Sequence, residues 1–473
     1  GSMTPRVIVH QPGLEAMLRV IEEEATVLST RAFAVGGYVR DRLLGRDCKD
    51  VDIVAENGMG TRLAEAVAAR LGTRRPVVFE RFGTAQLQLD DAVVEFVSAR
   101  AESYDPDSRK PEVRPATLEE DLRRRDFTAN TLLADAAGTV LDLTGEGLAD
   151  LDARLLRTPL PAAETFAEDP LRAVRAVRFA VGLEFAMHED IHPAIRANRD
   201  RLQQVVSVER IHEELRRMLL GGRPGTAIRV LWETGLAERL LPEVTEMADV
   251  EQTGFHHLDV LQHTLAALDA VAARPAPHLE PRAELRLRLG ILFHDTGKPA
   301  TAAREGEKLT FYGHPDVGAA AATTALRRLR FSNDDIDAVA RLVALHMRPI
   351  QYQADWKDGA VRRLVRDSGD LLPALLELAG GDMAASEYPP EEAAEKMGDL
   401  RRRIAAVGEE ASRRASSPLN GHALIEHFQR PAGPWISTVQ HALLEAVLDG
   451  ELAPGDQAAA WSYLDAHPEL APT

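Results

Sequence analysis

AFAVGGYVRDRLLGRDCKDVDIV, Ala32 to Val54, is the stretch from which the rest of the chain can be read. A short apolar run, Ala32–Val35, stops at Gly36-Gly37, a helical segment follows, and a second apolar run carries Asp50-Val51-Asp52. Side chains on a strand alternate, so Asp50 and Asp52 share one face and can hold Mg²⁺ together, while Val51 and Ile53 face a core. Gly36 and Gly37 let the backbone pass close to phosphates, whose oxygens can then meet the free N–H groups opening the next helix. Carboxylates for a metal pair beside a phosphate cradle are the apparatus of nucleotidyl transfer. Each piece alone is common, an Asp-x-Asp as a solvated turn and a Gly-Gly as a simple bend. Their order and spacing carry the reading.

GG-x-VRD-x-LLG followed by D-x-D resembles the nucleotidyltransferase motif of the polymerase-beta superfamily, specifically the bacterial-type (class II) CCA-adding enzymes and poly(A) polymerases. The resemblance implies an α+β fold: a head with a small mixed sheet, followed by all-helical neck, body and tail domains. It implies Gly36, Gly37 and Arg40 in nucleotide binding and Asp50 and Asp52 in catalysis and metal binding.

Across 473 residues, 45% hydrophobic and 27% charged, the chain can bury several cores and has the composition of a soluble globular protein. A single cysteine, Cys48, excludes an internal disulfide framework and fits a reducing cytoplasm. No long uninterrupted apolar segment and no signal peptide are legible, so no membrane association is expected, and the opening Gly-Ser before Met3 reads as an expression scar. The net charge of −18, with 74 acidic against 56 basic residues, argues against a nonspecific nucleic-acid coat. Local basic stripes remain, at Arg196–Arg217 and Arg123–Arg125.

Residues 14–28 have amphipathic helical spacing, Thr61–Leu71 reads as a helix, and Pro76–Phe79, Ala85–Leu89 and Val93–Val97 read as strands. Glu95, in VVEFV, is an edge residue or a partner for the metal pair, and the family resemblance favours a third active-site carboxylate. Ser98–Glu120 is polar and aperiodic, a surface loop; in the resembled family this region moves when addition switches from C to A, which draws attention to Arg109-Lys110-Pro111.

DLRRRDFTAN, Asp121–Asn130, resembles a second family motif, RRDFT-x-N. Arginine offers a rigid bidentate fork for phosphate and Asn can read a ribose hydroxyl, so Arg124, Arg125 and Asn130 are candidates for triphosphate and sugar. The plain alternative is an arginine-rich helix start with Asp126 as an ion-pair partner. Asp142–Arg157 also matches the family and reads as structural. In FAEDPLRAVRAVRF, Phe166–Phe179, the segment Glu168-Asp169-Pro170-Leu171-Arg172 resembles the motif that selects the incoming base. Cytosine and adenine each present an exocyclic amino donor beside a ring-nitrogen acceptor, so Asp169 can accept while Arg172 donates. Guanine and uracil present the reverse pattern and would meet like partners. Arg175 and Arg178, further along the same helix, join the nucleotide-binding set. A helix start with acidic residues in its first turn is the bland reading, compatible with the other. Helical periodicity continues through Glu209–Val244.

Beyond Val250 a second chemistry begins. His256-His257-Leu258-Asp259 and His263 precede a helical run, LGILFHDTGKP places His294-Asp295 after an apolar helix, and His314, His346 and Asp382 follow. This resembles an HD-domain metal site, with His263, His294, Asp295 and Asp382 as core ligands and His314 and His346 able to support a second metal. Imidazole and carboxylate suit Mn, Ni, Mg or Fe. Such a site gives phosphatase or phosphodiesterase activity, as in relatives acting on RNA ends; a degenerate HD fold is the alternative. From Glu391 onward the chain is helical and charged with a break at Ser416–Asn420, and Pro454–Thr473 is expected to fray.

The organisation expected is therefore a head over 14–155, a neck over 156–250, an HD domain over 251–390 and a tail over 391–473. The resemblance implies template-independent addition of CCA to the tRNA 3′ end from CTP and ATP, with Mg²⁺ at the head. An A-only enzyme, a CC-only enzyme and a poly(A) polymerase remain open. The loop with Arg109-Lys110 counts against the CC-only enzyme, and the HD domain counts against the poly(A) polymerase. From other classes, the chain could act mainly as an HD phosphohydrolase or as an RNA chaperone; intact carboxylates at both sites weigh against these.

Overall fold

The computed structural model describes residues 5–89, 92–103, 112–252, 258–275, 279–413 and 417–472. The chain forms two compact units, one running to Thr245 and including Ala325–Phe331, the other comprising Glu246–Thr324 and the residues from Ser332 onward.

The first unit is built on a seven-stranded mixed sheet. With β1 (Ala32–Val35), β2 (Asp50–Ala55), β3 (Val77–Phe79), β4 (Thr84–Leu89) and β5 (Ala92–Ser98), then β6 (Arg100–Ser103), β7 (Glu112–Pro115), β8 (Leu133–Ala134) and β9 (Val140–Leu141), the order is β3-β4-β5-β2-β1-β8-β9. β2 runs antiparallel to β1 and parallel to β5. Val51 and Ile53, essentially fully buried, face the core, while Asp50 and Asp52 alternate with them on the open face. Helices Leu14–Val27 and Gly60–Leu71 pack on one another and against the sheet, the first burying Leu14, Met17, Leu18, Ile21 and Ala25 at helical spacing. Helices Leu171–Leu183, Val208–Leu219 and Pro224–Glu233 follow in the same unit.

In the second unit, helices Val260–Ala273, Pro281–Phe293, Asn333–Leu345 and Leu372–Ala384 pack together and carry the histidine-rich centre. Glycine permits two close approaches there. A Cβ on Gly381 would lie 2.5 Å from Val271 Cγ2, and one on Gly297 would lie 2.1 Å from the His314 carbonyl oxygen.

Three expectations need correction. Ser98–Glu120 is not a simple loop: β6 and β7 pair antiparallel from Arg100↔Pro115 to Ser103↔Glu112, and helix Leu118–Arg123 follows. A ribbon whose register is held by backbone pairing leaves little apolar alternation to read. Arg109, Lys110 and Pro111 lie outside the described residues. The region after the head is not all-helical: Leu155–Leu156 pairs with Ala186–Met187, and Ala303–Glu305 forms a hairpin with Lys308–Thr310 around Gly306, whose φ is +65°. Finally, Pro454–Thr473 does not fray as a whole. Helix Gln457–Ala466 buries Ala460 and Leu464 with Leu424, Val439 and Leu443, because those two residues sit four apart on one face.

Gly297→Ala should lower the thermal unfolding midpoint, at a cost of about 1–3 kcal/mol, because the obstructing atom is backbone and cannot rotate aside. An unchanged melt by calorimetry would contradict that packing.

Candidate functional sites

In the head, the register that pairs β2 with β5 sets Asp52 opposite Glu95. Burial and then the Glu95 charge push Asp52 up to about 6, against the pull of Arg125. Burial and Asp50 push Glu95 up as well. Carboxylates that raise one another's affinity for a proton form an oxygen donor set that a hard divalent cation relieves, so these residues fit Mg²⁺. Asp52 and Glu95 line two adjoining clefts. One, about 510 Å³, includes Gly36, Gly37, Asp50 and Asn130; the other, about 360 Å³, includes Arg124, Asp169 and Arg172.

Gly36 adopts φ +75°, and an added Cβ would lie 3.6 Å from the Asn130 carbonyl oxygen, so the turn and the RRDFT-x-N segment approach closely. Arg40 donates to Asn130 Oδ1 at 2.6 Å, and Asn130 Nδ2 donates to Asp126 Oδ1 at 3.2 Å. Arg175 clamps Asp126 Oδ2 through Nε at 2.9 Å and Nη2 at 2.7 Å, and reaches Glu214 at 3.1 Å. Arg178 Nε meets the same Glu214 at 2.5 Å. Burial works against the Asp126 charge, yet Arg175 holds its carboxyl below the usual range. The ring of Phe179 lies under the guanidinium carbons of Arg40, Arg175 and Arg178 at 5.2, 5.2 and 4.3 Å. The sequence marks Asp126 only as a generic ion-pair partner and gives no local signal for Glu214 or Phe179. The three-residue spacing of Arg175 and Arg178 shows a shared face, but nothing in the spacing identifies Glu214 as their common acceptor.

Arg124 pairs with Glu168 at 3.0 Å and Arg125 with Asp121 at 3.0 Å. Arg172 is held by the Thr165 carbonyl at 3.1 Å, the Arg124 carbonyl at 2.9 Å and Glu168 at 3.3 Å. Asp169, 9% exposed, is paired with Arg210. Of the two basic stripes, Arg210, Arg216 and Arg217 are engaged with Asp169 or Glu213, so the stripe is largely neutralised locally.

In the second unit, five helices or their ends deliver the centre: His263 within Val260–Ala273, His294 and Asp295 just after Pro281–Phe293, His314 opening His314–Arg328, His346 capping Asn333–Leu345, and Asp382 near the end of Leu372–Ala384. Ligand atoms of His263, His294, Asp295 and Asp382 lie within 4.8 Å of one another, as do those of Asp295, His314 and His346. Asp295 belongs to both groups. Its Oδ2 lies 3.1 Å from His294 Nε2, and its Oδ1 lies 3.4 and 3.8 Å from His314 and His346 Nε2. The Nδ1 atoms of His294, His314 and His346 face the carbonyls of Ile291, Phe311 and Val343 at 2.5, 3.0 and 2.6 Å. That bond places a proton on Nδ1 and turns Nε2 inward, the orientation of an imidazole metal ligand. Burial and His294 push His346 down to about 3, which keeps it neutral. Although burial opposes it, His294 and Lys298 hold Asp295 well below the carboxylate range. The donor set fits divalent metal. His256 and His257 lie outside the described residues.

Residues 32–157 match the family model for the poly A polymerase head domain, residues 184–247 that for the "probable RNA and SrmB-binding site of polymerase A", and residues 256–393 that for the HD domain. An A-adding tRNA nucleotidyltransferase of Deinococcus radiodurans is 32% identical over 91% of this chain and 94% of its own length. The chain belongs to the tRNA nucleotidyltransferase family. Another member, the CC-adding tRNA nucleotidyltransferase of Thermus thermophilus, is 33% identical over 91% of this chain and 92% of its own. The solved CCA-adding enzyme of Bacillus stearothermophilus, in complex with CTP, superposes with a TM-score of 0.63 at 27% identity, over 97% of this chain and 98% of that one. This nucleotidyltransferase is an enzyme of the α+β class read from its sequence. Among its described residues, no helix is long and apolar enough to cross a membrane.

Because the folded-state value of Asp52 lies above the ordinary 3.8, the chain takes up a proton on folding between about pH 4 and pH 6, and stability falls as pH rises through that window. In EDTA, Asp52→Asn should therefore be more stable than the parent at pH 8, by on the order of 1–3 kcal/mol, with the gain vanishing near pH 4. Denaturant melts at the two pH values measure it.

Proposed function

We propose that this nucleotidyltransferase adds CCA to the 3′ end of tRNA from CTP and ATP, without a nucleic-acid template, in the cytoplasm. The observation that carries the reading is the meeting of the Asp50, Asp52 and Glu95 carboxylates with an arginine-lined cleft that also contains Asp169 and Arg172. Asp50, Asp52 and Glu95 would hold Mg²⁺, which when bound would supply charge to lower the pKa of a 3′-hydroxyl and to offset that of pyrophosphate. Gly36 and Gly37 let the triphosphate lie against the backbone, while Arg40, Arg124, Arg125, Arg175 and Arg178 supply its counter-charge. Asn130, fixed between Arg40 and Asp126, is set to read the ribose. Arg172, oriented by two backbone carbonyls, donates to the ring nitrogen of C or A, and Asp169 accepts from the amino group.

The second unit acts as a metal-dependent phosphohydrolase on RNA ends, with His263, His294, Asp295 and Asp382 as core ligands and His314 and His346 completing a second position. Its metal would supply a hydroxide nucleophile and polarise the phosphate. A narrower reading, A-only or CC-only addition, is favoured by one observation: the Deinococcus and Thermus relatives that match nine-tenths of this chain are such enzymes.

Extension of tRNA lacking all three terminal nucleotides, lacking only the final A, and complete, with CTP, ATP or both, should yield C, C, A and a stop. A-only, C-only or long A products would replace the reading with the corresponding narrower one or with poly(A) synthesis. Asp52→Asn should abolish addition and leave phosphohydrolysis intact, and Asp295→Asn should do the reverse; loss of both activities in either variant would contradict the division. Asp169→Ala should relax the choice of base, read as UTP and GTP incorporation.

A further inference from the structure

Asp169 follows helix Ala162–Glu168 directly, in extended backbone with φ −143°. Its side chain is only 12% exposed, and the Leu171 N–H donates to Oδ1 at 3.2 Å from the backbone side. Arg210, in the first turn of helix Val208–Leu219, covers the same carboxylate with Nη2 at 2.8 Å from Oδ2 and Nη1 at 3.4 Å from Oδ1. Both residues line the 360 Å³ cleft, and the Arg210 side chain is 52% exposed. Arg172, by contrast, is 13% exposed and pinned by backbone carbonyls.

We propose that Arg210 is the resting partner of Asp169, standing where the exocyclic amino group of the incoming base will stand, and that the base displaces it. The inference rests on the assignment of Asp169 as a base reader. A largely buried carboxylate needs a donor in every state of the cycle, or it carries an unpaired charge. Cytosine and adenine bring an amino group that replaces the Arg210 donors, so exchange leaves Asp169 satisfied. Uracil and guanine bring a carbonyl to that position, which cannot take over from Arg210. Displacement is feasible because the guanidinium is half in water and can regain its hydration by rotating outward, whereas Arg172 cannot leave. Arg210 is thus a positioning residue that keeps Asp169 hydrogen-bonded and oriented between additions, and it weakens the binding of those nucleotides that must expel it.

The consequence runs opposite to that of an ordinary structural ion pair. In the intact chain, Arg210→Ala and Arg210→Gln should tighten CTP and ATP binding, by roughly three- to tenfold in Kd. UTP binding should stay unchanged, so discrimination increases, and Arg210→Lys should lie near the parent. Titration calorimetry with each nucleotide reads this, with thermal melts confirming the fold and the Gln variant serving if Ala destabilises it. Weaker or unchanged CTP binding in folded Arg210 variants would overturn the proposal. Asp169→Asn, measured in parallel, separates the two claims. If its base choice is unchanged, the assignment of Asp169 falls and the partnership with it. If its choice is altered while the Arg210 variants bind CTP no more tightly, the partnership alone falls.

Discussion

The first unit depends on a buried chain of charge, Asp126–Arg175–Glu214–Arg178. Asp126 and Glu214 are 8% and 4% exposed, and each is matched by a guanidinium fork. Removing one member of such a chain leaves an uncompensated buried charge, which typically costs about 3–5 kcal/mol. The chain links the RRDFT-x-N segment to helices Leu171–Leu183 and Val208–Leu219, so the arginines that face the cleft stand on a rigid support. Phe179 adds a shared aromatic floor to three of them. Rigidity matters because arginine carries much rotamer entropy, and a fork already held in place loses less of it on meeting phosphate.

Against this cationic support stands the carboxylate face of β2 and β5. The two halves have opposite requirements: the arginines are stabilised by acids already present, whereas Asp52 and Glu95 repel one another and are raised in pKa. A site strained in this way favours a polycation or a proton, and at neutral pH the cation is the better match. The histidine centre in the second unit solves the same problem differently. There the two carboxylates are embedded among four imidazoles, three of which have Nδ1 facing the carbonyl three residues earlier. For His294 and His346 helical geometry supplies that carbonyl, since the residue three positions back lies one turn below; for His314, which opens its helix, a turn from Phe311 supplies it.

Much of the candidate site was legible in the sequence because its residues lie in short, ordered motifs. Alternation put Asp50 and Asp52 on one face, and their place in a strand followed from the apolar run beside them. The histidines were legible as a set because adjacent His-Asp after an apolar helix is an uncommon pairing. The β6–β7 ribbon and the helix Gln457–Ala466 escaped because backbone pairing and a short helix with only Ala460 and Leu464 buried leave little periodic signal.

The sequence by itself determined the family and the α+β class and named the candidate ligands, since each rests on local order and spacing. Tertiary structure alone decided that Glu95 stands opposite Asp52, that Glu214 gathers Arg175 and Arg178, that Asp295 faces two sets of histidines, and that Asp169 is held by Arg210. Those partners lie 36 to 43 residues apart in the first unit and up to 51 apart in the second. No local rule reaches across such separations, because which charge meets which is set only when strands and helices pack.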